Sequence, residues 1–537
     1  MTDFFNNPEM LRNARIQLRP GRAIAAVVIC AAISLTVWYS FDSRFVMGSA
    51  IPNSIAMFRF ILQLQIVVLL IGGGIYELLS VHREKELNTF DYQRVTRLTS
   101  FELALGKLFG APALMYFVTL CLMPIALLGA IQGHLPISLV VEAYVILLVG
   151  CIAFHLLALV VSMTLGRGVA AIAVLPYLVL VAFTSVDLFA GQNLGLGEDA
   201  STWAIHQLNP FAAVALFDTN ARFVPLNDRF FGVSVPHFTV LMVIYITLVA
   251  WFLLAIVRNL KRDPAVYELY SPIQAFGFAI YLNALMLGFF NWKAPLGLPI
   301  INSLGRITGF YTLPPLLVEH PLLLDTFWLF ILLGLVLLRN REQVRRRIKT
   351  LGESAASLWA AFWPAPYLLL GMIVVGIAIV ELIRTYRGLT PDQWNWGLAI
   401  LNVAFIALWV ARDMLYLQWM GLRRARRPLF AAVLYLIVFY ICISVILGVA
   451  HTFARPTVAA FGAALVPSGV SALDVADWTA HSQIWICALA LLAVQVVLFA
   501  LLQWQKLREF VTPALASAPL ATPPAPSPTP AGSFIPR

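Results

Sequence analysis

The stretch "ISLVVEAYVILLVGCIAFHLLALVVSM" at 137–163 carries one acid, Glu142, one histidine, His155, and no lysine or arginine. At about 1.5 Å of rise per residue a helix of this length exceeds the roughly 30 Å of a bilayer's hydrocarbon core. An apolar run this long is a candidate membrane span. Working outward, comparable cores recur at 23–40, 55–79, 108–131, 169–188, 236–257, 273–291, 322–338, 363–383, 397–419, 429–450 and 484–503. The expected fold is therefore an all-α, polytopic integral membrane helix bundle of about twelve transmembrane helices.

Composition agrees. Of 537 residues, 61% are hydrophobic and only 12% charged, far from the soluble average. With the N-terminus inside, twelve spans leave nine of the 36 basic residues outside: Arg44, Arg59, Arg222, Arg229, Lys293, Arg306, Arg384, Arg387 and Arg455. This positive-inside bias predicts cytoplasmic N- and C-termini. The +10 net charge gathers at 12–22, 339–349 and 423–427, beside inner helix ends, which points to anionic membrane lipids and not to nucleic acid. Cys30, Cys121, Cys151, Cys442 and Cys487 all fall in apolar spans and read as packing residues, with no disulfide framework and no metal site.

Four parts are expected: a segment at 1–22, a transmembrane unit at 23–262, a second at 263–510 and a Pro-rich disordered tail at 511–537. In the first part, Asn7-Pro8-Glu9 reads as a helix start, with Leu11, Ala14 and Leu18 on one face and Pro20-Gly21 as the stop. A surface helix and a plain basic flank both fit that pattern. Between spans two and three, Leu87, Phe90, Val95 and Leu98 form an apolar helical stripe in a charged stretch. Thr99-Ser-Phe-Glu102 is then a capping box for the next helix, with Leu98 and Leu103 as its hydrophobic staple. The long connection 189–235 contains an apolar patch at 203–217, expected to be interfacial or re-entrant. A degenerate repeat relating 82–107 to 411–428 and a chance likeness of two basic loops remain equal alternatives.

No P-loop occurs, since Gly106-Lys107 is followed by Leu108 and lacks the upstream glycine, so the chain does not hydrolyse ATP by a Walker motif of its own. Zinc-protease, CxxC, nucleophile-elbow and dinucleotide patterns are also missing. Glu142 and Glu381 fall near outer helix ends and Arg412 and Asp413 near an inner end, which leaves His155 as the titratable group near mid-span. Gln63, Gln65, His155, Asn283 and Asn402 are the buried polar candidates, for helix-to-helix hydrogen bonds or a transport pathway.

"REKELNTFDYQRVTRLTSFELALGKLFG" at 83–110 resembles the cytoplasmic signature of type-2 ABC transporter permeases. "NPEMLRNARIQLRPGR" at 7–22 is similar to their N-terminal elbow helix, and "LNPFAA" at 208–213 to their outer loop. The resemblance covers about residues 7–260. "ARDMLYLQWMGLRRARRP" at 411–428 is similar to the later half of some longer members, without the Thr-Phe-Asp step. The resemblance implies the permease subunit of an ATP-driven exporter in a bacterial inner membrane, with no enzymatic activity and no cofactor of its own. ATP and magnesium would belong to a partner ATPase, and a second permease copy is a further partner. Glu84, Glu86, Thr89, Phe90, Asp91, Arg94 and Leu98 would form the helix that couples to that ATPase, and Thr99 and Glu102 would cap span three.

Two other classes stand beside this one. A multi-span glycosyltransferase using lipid-linked sugars would place its acid at Asp42, and an ion-coupled carrier would use His155.

Overall fold

The computed structural model describes residues 7–42, 53–87, 89–90, 95–164, 210–215, 217, 227–231, 233–262, 269–289, 297–301, 307–312, 323, 326–331, 333–334, 337–338, 341, 344, 365–386, 395–423, 428–451, 462, 464–465 and 475–516. These residues form a mostly helical bundle. Pro8–Gln17 is α1 and Pro20–Asp42 is α2. The second span is one rod, α3 (Asn53–Val67), a π-helical stretch (Val68–Gly73) and α4 (Gly74–Glu86). Then come α5 (Ser100–Gly110), α6 (Ala113–Gln132), α7 (Ile137–Thr164), the turn α8 (Ala212–Ala215), α9 (His237–Asn259) and α10 (Pro272–Phe289). The later part holds α11 (Ala365–Tyr386), α12 (Trp396–Gly421), α13 (Pro428–His451) and α14 (Val475–Ala516).

Eight helices are long and apolar enough to cross a membrane, and two shorter apolar helices, Ile273–Gly288 and Ala431–Ile443, accompany them. Ten of the twelve expected spans thus fall on described helices. The span at 169–188 lies outside the described residues, and 322–338 is described only at 323, 326–331, 333–334 and 337–338.

The bundle is not purely helical. Asn227–Phe230 (β1) pairs antiparallel with Val233–Pro236 (β2), and Gly297–Ile301 (β3) with Ile307–Thr312 (β4). Strands of four to six residues are too short to span, and each pairs its backbone groups with its partner strand.

Local signals explain several boundaries. Asn7 accepts from the Glu9 and Met10 amides at 3.0 and 3.3 Å, and Pro8 sits at the first helical position. The Thr99–Glu102 capping box forms in both directions. Span three does not continue from that helix, however: a turn at Ala111-Pro112 separates α5 from α6, with the Pro112 carbonyl accepting from the Met115 and Tyr116 amides. The helix α14 runs through Pro513 to Ala516, into the stretch expected to be tail, and residues 517–537 lie outside the described ones.

Two apolar cores hold the bundle. One joins α2, α3, α6, α7 and α9 with Phe211, Ala213, Val214 and Phe217. The other begins at Val81, Phe90 and Leu103 and runs through α9 and α10 into α11, α12 and α14. Packing is therefore continuous across the expected boundary at 262/263, where Trp251, Tyr270, Phe278 and Tyr281 form one aromatic group.

Candidate functional site: a charged junction at one end of the bundle

The residues between spans two and three gather against four other elements. Glu84, on the last turn of α4, is ion-paired to Lys107 of α5 and, at 3.0 Å, to Arg12 of α1. Arg12 also meets Glu9 at 2.8 Å, and Glu9 accepts from the Asn13 amide at 2.9 Å and lies 3.6 Å from the Lys107 ammonium. Lys107 is fully buried, which is tolerable only because two carboxylates face it. Lys85 donates to the Met163 carbonyl at 2.7 Å, capping the C-terminal end of α7. Lys261, just past α9, donates to the Thr96 carbonyl at 3.0 Å.

The helix α1 seats itself on α5 through a polar face. Asn7, Glu9 and Asn13 turn inward, whereas Leu11 and Ile16 are exposed. Gly106 and Gly110, one turn apart on α5, make this possible. A Cβ on Gly106 would stand 2.7 Å from the Glu9 Cβ, and one on Gly110 2.8 Å from the Asn13 Cβ. Small residues four apart let two helices approach backbone to backbone, and the Asn7 amide closes the contact by donating to the Glu102 carbonyl at 2.6 Å.

The expected coupling residues divide. Glu84 belongs to the charged network, and Thr89 bonds back to the Glu84 carbonyl through its amide at 2.9 Å. Phe90 is buried in the larger core, with Leu98 packed beside it. Leu87 and Val95, expected on the same apolar stripe, are instead 72% and 82% exposed, and Phe101 is half exposed beside them. A single helix over 82–98 would align all four; the chain leaves α4 at Leu87, so the stripe splits into an inward and an outward pair. Asp91, Arg94 and the side chain of Glu86 lie outside the described residues, as does the side chain of Asp42.

The expected pathway residues do not form one site. Gln65 and His155 stitch spans two, three and four. The Gln65 amide donates to the Thr119 carbonyl at 3.0 Å and accepts from the Tyr144 hydroxyl at 3.1 Å. His155 lies within hydrogen-bond distance of the Leu69 carbonyl (Nε2, 2.9 Å) and the Tyr116 hydroxyl (Nδ1, 3.0 Å). Leu69 is in the π-helical stretch, where the widened turn frees a carbonyl. With both ring nitrogens engaged, His155 is a satisfied cross-link. Gln63 is half-buried on another face of α3. Asn283 donates to its own helix at Ala279, and Asn402 has neither amide atom bonded among the described residues.

Arg412 and Asp413 are not at a helix end. They sit well inside α12, buried and paired at 2.8 Å, with Tyr440 and Gln495 as further partners. Glu77, fully buried on α4, also escaped the sequence reading, as did Lys107, Glu9 and Arg12 as a group. A lone lysine inside the apolar run 103–116 was the available signal. Between α11 and α12 lies an apolar groove of about 400 Å³ lined by Leu369, Ile373, Ile377, Trp396, Ile400 and Val403. It offers shape for hydrocarbon and almost no polar atom to orient a ligand.

The chain is a multi-pass membrane protein, on the strength of its apolar helices. No family model, curated protein or solved structure matches it.

Proposed function

We propose that this chain is the permease subunit of an ABC exporter in a bacterial inner membrane, driven by a separate ATPase that docks on the junction at 82–101. The observation that carries the reading is the convergence of that junction: α1, α4, α5, the end of α7 and the segment after α9 are tied there by Glu84, Lys107, Lys85 and Lys261. A force applied to 84–101 reaches spans two, three, four and six at once. A segment anchored to several spans can carry a domain closure to them. Exposed Leu87, Val95 and Phe101 supply an apolar patch for a partner's groove, with Arg83 and Arg97 exposed beside them.

Phe90 is unsuitable as a probe of docking, because truncating a buried phenylalanine costs about 3–5 kcal/mol of stability on its own. Leu87→Glu combined with Val95→Glu alters the surface and leaves the core intact. The tagged chain should bring down an ABC ATPase in detergent, and the double variant should lose it while remaining monodisperse. Retention of the ATPase by the variant would move the docking surface elsewhere, and recovery of no ATPase with the unaltered chain would reject the permease reading.

A further inference from the structure

The apolar groove between α11 and α12 is built by small residues at helical spacing. Ala399, Val403 and Ala407 recur every fourth residue of α12, so they share one stripe, and all three are buried as the floor of the groove. Ile400 and Leu408 rise beside them as one wall, and Ile373 and Ile377 of α11 form the other. A floor of alanine and valine between walls of isoleucine and leucine leaves about 400 Å³ along the helix axes. Ile377 and Ile400 are exposed, so the groove opens to the outside of the bundle. Around two membrane-spanning helices that outside is hydrocarbon.

Close contacts set the direction of the two helices. A Cβ on Gly376 would stand 2.7 Å from Val403, and one on Gly334 would meet both Leu368 and Met414. Residue 376 is therefore level with 403 and residue 368 with 414, so α11 and α12 are antiparallel. The groove begins at Trp396, the first residue of α12, and reaches Leu408 in the middle of that helix. These twelve steps of helix measure roughly 18 Å. Half of a bilayer's hydrocarbon core is about 15 Å, so the groove has the length of an acyl chain in one leaflet.

At the Trp396 end the chemistry changes. Asn395 caps α12 by accepting from the Leu398 amide at 3.2 Å, and the tryptophan beside it is a residue enriched at the boundary between hydrocarbon and water. On α11 the lining residues Ile377 and Val380 are followed one turn later, four positions on in each case, by Glu381 and Arg384. Eight residues beyond Gly376 on one helix and eight before Val403 on the other bring Arg384 level with Asn395. The Arg384 Nε donates to the Glu381 carboxylate at 2.9 Å, and both side chains are partly exposed. An apolar slot one leaflet long thus ends under one guanidinium and one carboxylate.

These features select among the molecules that surround a membrane protein. Water needs polar partners, and the slot offers almost none. A neighbouring helix, about 10 Å across with its side chains, can place only single side chains in a slot whose two helices touch at Gly376 and Val403. A hydrocarbon tail is narrow enough to fill the whole length and gives every wall its dispersion contacts. Charge then selects the head. An anionic head meets Arg384 favourably and the like-charged Glu381 unfavourably. A phosphoethanolamine head sets its phosphate against Arg384 and its ammonium against Glu381, so both side chains keep an opposite charge.

We propose that this groove is a lipid site that holds one acyl chain of a phosphatidylethanolamine, with the head group on Glu381 and Arg384 and Trp396 at its mouth. The site belongs to α11 and α12 and does not depend on which partner drives the chain.

Tryptophan quenching by brominated lipids tests this with the full-length chain in phosphatidylcholine vesicles, whose quaternary ammonium cannot donate to Glu381. Phosphatidylethanolamine or phosphatidylglycerol, brominated near the head end of one chain, is titrated in. The signal of Trp396 is the difference between a protein and its Trp396→Phe form. Half-quenching of Trp396 should need about threefold less phosphatidylethanolamine than phosphatidylglycerol, the scale of one partly exposed ion pair. Trp328, 47% exposed and read in the same way through Trp328→Phe, should show no preference. Ala404→Phe, in the lining, fills the slot and should abolish the preference at Trp396. Glu381→Gln with Arg384→Gln should abolish it as well, leaving the slot open and stranding no charge. A preference at Trp396 equal to that at Trp328, or one that survives either change, would overturn the site. So would a Trp396 that neither lipid quenches, since protein would then cover the groove. No ATPase enters the assay, so these results stand apart from the docking experiment.

Discussion

Substitution of Lys107 by methionine isolates the charged junction. The change keeps the length of the side chain and removes the one fully buried cation facing Glu84 and Glu9. Breaking a buried ion pair from one side costs about 3–5 kcal/mol, because the remaining charge is stranded. Here Arg12 still reaches both carboxylates, at 2.8 and 3.0 Å, but its side chain is 45% exposed and such a pair contributes only about 0–1 kcal/mol. The expected loss is therefore near the lower bound, about 3 kcal/mol. Adding Glu84→Gln to Lys107→Met should recover about 2 kcal/mol, since the stranded charge is then gone. Unfolding by sodium dodecyl sulfate in mixed micelles, followed by tryptophan fluorescence, reads both quantities. A cost below about 0.5 kcal/mol for Lys107→Met, or strict additivity of the two substitutions, would refute the network as an energetic unit.

Two further outcomes follow from local geometry. Thr99→Ala removes an N-cap whose hydroxyl accepts from the Glu102 amide at 3.2 Å, and should cost about 1 kcal/mol in the same unfolding assay. Asn402→Leu replaces a buried amide without bonded partners and should be neutral or stabilising by about 1 kcal/mol, whereas a loss of that size would show that the amide is engaged.

Part of this was legible in the sequence because it is local. A run such as 137–163 is too apolar and too long for any solvent but lipid, and it forms one helix long enough to cross a membrane. The Asn7 cap and the Thr99–Glu102 box depend on residues two or three apart, and both form. The break at Ala111-Pro112 was within reach of the same reasoning, since a proline opposes continuation of the helix from Lys107.

The rest depends on which elements become neighbours, and one-dimensional periodicity does not contain that. The stripe of Leu87, Phe90, Val95 and Leu98 has a helical period, yet α4 ends at Leu87 and only Phe90 and Leu98 turn to the core. The helix α1 buries its polar face because Gly106 and Gly110 happen to face it. Lys107 finds Glu84 over 23 residues, and Arg412 finds Gln495 over 83. By itself the sequence determined that the chain is a multi-span membrane bundle, with these local helix caps, since transfer into hydrocarbon and helix capping are properties of short segments. Only the tertiary structure decided where the buried charges meet, since a buried charge is stabilised by whatever partner the folded chain brings within about 3 Å.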